Sequence, residues 1–173
     1  MEERSSSKRG AANQTSMEVR SEREVVIART FNGPARIVFD AWTRPELVRR
    51  WWAPKSHQVS VASCDADVRV GGDYRYVLRL EAGNEFAFAG KYTEITPHSR
   101  LVYTQRFEPV AGQPLPGEVI VTVSFEEHDG KTRLTSHELY PSKEALDGAL
   151  AAGMEHGMRE TMDQLDELVA SLA

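Results

Sequence analysis

The chain has 173 residues, enough for one domain with a sizeable core and too few for two comfortable ones. With 40% hydrophobic and 27% charged residues it has ordinary globular composition, and a formal net charge of −5 argues against the dense basic face of a nucleic-acid binder. The single cysteine, Cys64, excludes an intramolecular disulfide and a Cys-rich zinc site, and no apolar run reaches membrane-spanning length, so no membrane insertion is expected.

The first 21 residues, MEERSSSKRGAANQTSMEVRS, carry charges and small polar groups with almost nothing to bury. They are expected to be a disordered tail, without the apolar stretch of a secretory signal; Met17 is a candidate alternative start and the cytoplasm the expected compartment. From residue 22 to 173 the pattern reads as one domain. EVVIARTF (24–31) is rich in β-branched residues and predicts a strand. Pro34 then opens a short helix whose apolar stripe is Ala35, Val38, Phe39 and Trp42. A second short helix follows from Pro45 through Leu47, Val48 and Trp51, ended by Pro54, with the adjacent Trp51 and Trp52 at its end.

Beyond Pro54 the periodicity changes to two. HQVSVASCDA (57–66) alternates, and VRVGGDYRYVLRL (68–80) places Val68, Val70, Tyr74, Tyr76, Leu78 and Leu80 on one parity. Arg69, Asp73, Arg75 and Arg79 take the other, and Gly71-Gly72 reads as a mid-strand bend. Strands are further predicted at 85–95, 100–107, 118–127 and 131–140, the last two joined by a hairpin at His128-Asp129-Gly130, with AGQPLPG (111–117) a loop. From Ser142, a candidate N-cap, one long helix is predicted to the C-terminus. Its stripe is Leu146, Leu150, Met154, Met158, Met162, Leu165, Leu168 and Leu172, bordered by the small-residue row Ala149, Gly153, Gly157 and Thr161. That row permits either close backbone packing on a sheet or room for a ligand.

The order predicts an α+β domain: a curved antiparallel sheet of about seven strands wrapped on the C-terminal helix, with two short helices after the first strand. The tryptophan pair is expected to seal one end of this grip, one ring turned in and its neighbour over the rim. Tyr74, Tyr76, Tyr92 and Tyr103 recur at inward positions, where buried phenols need hydrogen-bond partners, so a cavity holding water or a polar ligand group is expected between sheet and helix.

Five stretches in this order resemble one family: RTFNGPARIVFDAWTRPELVRRWWAP, DADVRVGGDYRYVLR, GKYTEITPHSRLVYT, TRLTSHELYPSKEA and GMEHGMRETMDQL. The sequence resembles the START-like helix-grip superfamily (SRPBCC) and, within it, the activator of Hsp90 ATPase homologue 1-like family. The resemblance implies a hydrophobic cavity between sheet and long helix, used in different members for lipids, polyketides or other apolar molecules, and it implies no single reaction. Nor does the name imply Hsp90 regulation, since the co-chaperone behind it has an additional N-terminal domain that the polar segment before residue 22 is not expected to supply. The family's closing helix usually carries an aromatic after its second glycine; here that residue is Met158, which implies a wider or softer pocket.

Three readings follow. The first is binding of a small hydrophobic or amphipathic ligand, lined by Trp51, Trp52, Tyr74, Tyr76, Phe88, Tyr103, Glu138, Met154, Met158 and Met162. The second is a cyclase- or hydrolase-type enzyme using whichever of His137 and Glu138 faces the cavity, with a pocket tyrosine; pairing of Glu138 with Arg75, Arg79 or Arg106 is an equal alternative. The third is a chaperone-type interaction module using the outward stripe of Arg69, Arg75 and Arg79. No cofactor is expected. His57, His98 and His128 read as solvated turn residues, and His156 with Glu160 share a helical face but supply only two metal ligands, so no metal is expected either.

Overall fold

The structure, a computed structural model, describes residues 14–109 and 117–173. Most of the expected tail and all but the last residue of the 111–117 loop lie outside the described residues. Strands β1 (Ser16–Val19) and β2 (Glu24–Phe31) are followed by helices α1 (Ala35–Thr43) and α2 (Pro45–Val48) and a 3-10 turn at Lys55–His57. Then come β3 (Ser60–Ala66), β4 (Asp73–Arg79), β5 (Glu85–Thr96), β6 (Arg100–Glu108), β7 (Val119–His128) and β8 (Lys131–Leu139). Helices α3 (Lys143–Ala151) and α4 (Met154–Leu172) close the chain. The strands form a single antiparallel sheet of eight, ordered β1-β2-β8-β7-β6-β5-β4-β3.

Alternation in the apolar strands places one row on the core face: Val25, Ile27 and Phe31 from β2, Tyr74, Tyr76 and Leu78 from β4, Leu101 and Tyr103 from β6, Val121 and Val123 from β7. Helices α1 and α4 lay Val38, Trp42, Leu165 and Val169 against that face, while Leu146 of α3 joins Val25, Ile27 and Tyr140 in a second cluster. The β7–β8 hairpin closes on Asp129 and Gly130, both at positive φ (53° and 75°), the geometry in which two-residue loops match strand twist. Ser142 Oγ accepts the Ala145 N–H at 3.1 Å and caps α3.

Three expectations are corrected. Residues 16–19 are not part of a disordered tail but an edge strand paired with β2, with Met17 packed against the second cluster; one half-buried residue in four is too faint a signal to read. The C-terminal helix is two helices, because Gly153 adopts φ 86° and restarts the chain as α4, a conformation glycine takes without a Cβ penalty. Gly71-Gly72 lies in the turn between β3 and β4, not within a strand. Val68 and Val70, expected inward, are consequently 38% and 65% exposed. A Cβ on Gly72 would fall 2.0 Å from the Asp67 carbonyl oxygen, so the tight turn needs the glycine. The turn is tied to β5: Gly71 N–H donates to the Tyr92 carbonyl (2.8 Å) and Tyr92 N–H to the Gly72 carbonyl (2.9 Å).

The ladder between β5 and β6 is also irregular. Between the pairs Ala89↔Arg106 and Tyr92↔Tyr103 the regular pairing of β5 and β6 lapses. Lys91 N–H donates instead to Thr104 Oγ1 (3.1 Å), and the Thr104 carbonyl turns inward to accept the Tyr74 hydroxyl (2.7 Å). Gly90 makes this possible, since a Cβ there would stand 1.8 Å from that carbonyl oxygen.

Candidate ligand-binding site

The segment after α2 presents its two tryptophans differently. Trp51 is 2% exposed and donates from Nε1 to the Ala41 carbonyl (2.8 Å), so it belongs to the core. Trp52 is half-buried and leans on Tyr76 and Phe88, ring centroids 4.9 and 6.1 Å away. One ring is turned in and its neighbour lies toward the rim, as expected, although the helix ends at Val48 and the pair sits in the turns beyond it rather than on helical positions. Gln164 of α4 fixes the segment, donating to the carbonyls of Trp51 (3.0 Å) and Ala53 (2.8 Å) and accepting the Lys55 N–H (3.0 Å).

Beneath Trp52 the rings of Trp42, Trp52, Tyr74, Tyr76, Tyr92 and Tyr103 surround a void of about 10 Å³, room for about one water. The open chamber expected from the fold is thus closed here, because neighbouring rings meet one another at centroid distances of 4.9–6.2 Å. Tyr103 accepts the indole N–H of Trp42 (3.4 Å). Burial pushes the phenol pKa values of Tyr74, Tyr76, Tyr92 and Tyr103 up, so all four stay neutral.

The inner face continues beyond Trp52 as a half-buried aromatic mouth. Phe88 faces Phe107 across β5–β6 at 5.3 Å and Phe86 adjoins both, at 6.1 and 5.8 Å. Val119 and Met158, also half-buried, each touch both core clusters and form the seam between them. Alternation on β8 resolves the His137/Glu138 question. Glu138 shares the inner parity of Leu134 and Ser136, whereas His137 pairs with Glu24 at 2.8 Å on the other face. Glu138 accepts the Tyr140 hydroxyl (3.0 Å), which lies 3.5 Å from Met154 Sδ, and it makes no ion pair with Arg75, Arg79 or Arg106. Desolvation raises its carboxyl pKa, the Tyr140 hydrogen bond and His137 opposing the shift.

A sequence profile described as Activator of Hsp90 ATPase homolog 1-like protein matches residues 32–170. The chain belongs to this family. Among solved structures it is similar to a Staphylococcus epidermidis protein (28% identity, 91% of this chain and 95% of that one, TM-score 0.74). It is also similar to proteins from Nitrosomonas europaea (25%, 88% and 97%, TM-score 0.76) and Arthrobacter aurescens (25%, 90% and 91%, TM-score 0.80). No curated protein matches the chain.

In this member of the activator of Hsp90 ATPase homolog 1-like family, the ten residues expected to line the cavity divide into groups. Tyr74, Tyr76, Tyr103 and Trp52 surround the small void, joined by Trp42 and Tyr92. Phe88, Met154, Met158 and Glu138 are half-buried, whereas Trp51 and Met162 are core residues, 2% and 4% exposed. Phe107, which was not among the expected residues, adjoins Phe86 and Phe88, and the parity it shares with Tyr103 was the available signal. The small-residue row does not pack closely on the sheet: a Cβ on Gly153 would meet nothing within 4 Å, and the nearest neighbour of a Gly157 Cβ is Pro54 Cγ at 3.9 Å.

The arginine stripe is not a free cationic face. Arg69 pairs with Asp67 (2.8 Å), Arg75 with Glu108 (2.8 Å) and Arg79 with Glu85 (2.7 Å), so each charge is matched locally. Cys64 is buried on β3, and burial pushes its thiol up to about 11. Iodoacetamide at pH 8 is therefore expected to label the native thiol roughly a hundredfold more slowly than the unfolded one, since the thiolate is the reactive form. His98 is an exposed turn residue, as expected, whereas His128 is the exposed last residue of β7, paired with Lys131 beside the hairpin turn. His57 is exposed too, but it comes beside His156 and Glu160. The Glu160 carboxylate accepts the Ser56 N–H (2.7 Å) and hydroxyl (2.5 Å), which with the two imidazoles hold its pKa below the usual carboxylate range. No described helix is long and apolar enough to cross a membrane.

Proposed function

We propose that the chain binds a small amphipathic molecule at the mouth of the grip, its apolar part on Trp52, Phe88, Phe107 and Met158. Its polar end, neutral or cationic, would meet Glu138. The observation that carries this reading is the half-buried aromatic mouth running without interruption into the tyrosine-lined void, with Trp52 as the ring between them. Monomeric proteins rarely leave such contiguous apolar surface without use. A ligand larger than a water enters only when the Trp52 ring moves, since binding pockets for small molecules enclose about 300–1,000 Å³. The polar preference follows from Glu138: a ligand carboxylate would stand against a partly desolvated carboxylate, whereas a hydroxyl or ammonium would donate to it.

Thermal denaturation with decanol and decanoate tests this at neutral pH. Decanol is expected to raise the Tm by about 3–5 °C at tenfold excess over its Kd, decanoate less, and Glu138→Gln to narrow the difference. Met158→Trp, which fills the seam, is expected to weaken both. No rise with either probe, or equal rises unaffected by Met158→Trp, would overturn the reading. The Glu138 variant carries a linked expectation without ligand. Because the folded carboxyl pKa is raised, the native state holds that proton more tightly, so the penalty from Glu138 grows as pH rises from the ordinary carboxylate range through the folded value. Glu138→Gln should therefore be at least as stable as the parent at pH 7 and lose that advantage near pH 4, a comparison of Tm values at the two pH values.

A further inference from the structure

We infer that His57, His156 and Glu160 form a binding site for a divalent transition metal ion, with Zn²⁺ the best match, which staples the Trp52 segment to α4. One ligand atom from each residue lies within 4.8 Å of the others, and His57 Nδ1 is already 3.9 Å from Glu160 Oε2. Zinc bonds of about 2.0–2.2 Å in a tetrahedron set donor atoms roughly 3.3–3.5 Å apart, so the donors close by about 1 Å. Side-chain rotation supplies that movement, because His57 and His156 are exposed.

Three further observations favour a site over chance proximity. The two imidazole rings stand 5.5 Å apart, an arrangement that two imidazolium ions would oppose and a shared metal would hold. Both Glu160 oxygens are engaged by Ser56, whose N–H and hydroxyl orient the carboxylate as outer partners orient metal-bound carboxylates elsewhere. The elements that carry the donors are independently docked by Gln164, so the ligands come pre-positioned. Two nitrogens and one carboxylate suit zinc, nickel or copper; magnesium and calcium prefer oxygen ligands throughout. Three protein ligands leave a coordination position open to solvent. The site stands whether or not the mouth below it takes a ligand.

The test uses the full chain freed of metal with EDTA and dialysed. At a hundredfold excess of ZnCl₂ over its Kd the Tm should rise by about 5–10 °C, and CoCl₂ should give visible absorption bands of a low-symmetry site. His57→Ala and His156→Ala, both exposed positions, should each abolish the rise while leaving the metal-free Tm nearly unchanged, and His128→Ala should retain it. Absence of any rise in the parent chain overturns the inference. So does a rise that survives both His57→Ala and His156→Ala, or one that MgCl₂ reproduces.

Discussion

Gly90→Ala is expected to lower stability by more than about 3 kcal/mol, while the same change at Gly157 is expected to raise it. At Gly90 the new Cβ would stand 1.8 Å from the Thr104 carbonyl oxygen and 2.7 Å from its carbon, both backbone atoms that no rotamer change can clear. Relief requires β6 to shift away from β5, breaking the hydrogen bond from the Tyr74 hydroxyl to that carbonyl and disturbing the Tyr92↔Tyr103 pair at the void. Overpacking alone typically costs 1–3 kcal/mol, about, and a lost buried hydrogen bond adds to it. With total stabilities of roughly 5–15 kcal/mol, the variant should show a Tm lower by about 10 °C or more, or fail to fold. At Gly157 the nearest neighbour is Pro54 Cγ at 3.9 Å, an ordinary contact, and the helix propensity of alanine gives up to about 1 kcal/mol. Urea midpoints of the two variants read both signs at once. A Gly90→Ala protein within 1 kcal/mol, roughly, of the parent would show that the ladder there is not held as described.

The contrast between these glycines shows what a single chain's pattern can and cannot convey. Alternation located all the strands but the edge strand β1, and Asp129-Gly130, Ser142 and the Trp51/Trp52 pair took the roles their chemistry suggests, because each depends on near neighbours in sequence. Gly71-Gly72 and Gly90 look alike in sequence, yet the first turns the chain between strands and the second admits a carbonyl from residue 104, a neighbour only in space. Gly153 ends a helix in the middle of an unbroken apolar stripe, since Leu150 and Met154 remain half-buried on either side of the break. The tyrosine cluster was legible as inward-facing residues, but whether the rings enclose a chamber or fill it depends on side-chain volumes meeting across the grip. His57 and His156 are 99 positions apart, and only the docking of the Trp52 segment on α4 unites them.

The same grip is held at its other end by a charge that pattern reading passed over. Arg29 occupies an inner-face position of β2, its side chain 6% exposed, with Nη1 bonded to Thr15 Oγ1 (3.0 Å) and Asp163 (2.5 Å) and Nη2 3.4 Å from Asp166. Its Nε finds no hydrogen-bond partner among the described residues. The two acids belong to α4 and are far more hydrated, at 69% and 24% exposed, so the desolvation penalty is concentrated on the guanidinium. That asymmetry orders the variants. Removing both carboxylates with Asp163→Asn and Asp166→Asn leaves a buried cation uncompensated and is expected to cost about 3–5 kcal/mol. Arg29→Met removes the cation and lets the acids face water, so it should cost less, about 1–2 kcal/mol, mainly in lost contacts. Combining all three changes should recover part of the double variant's loss, because the methionine no longer needs a counter-charge. Urea denaturation of the four proteins, with a common m-value, gives the comparison. An Arg29→Met protein less stable than the Asp163→Asn, Asp166→Asn variant would mean that the carboxylates, and not the guanidinium, bear the strain of closing the helix onto the sheet.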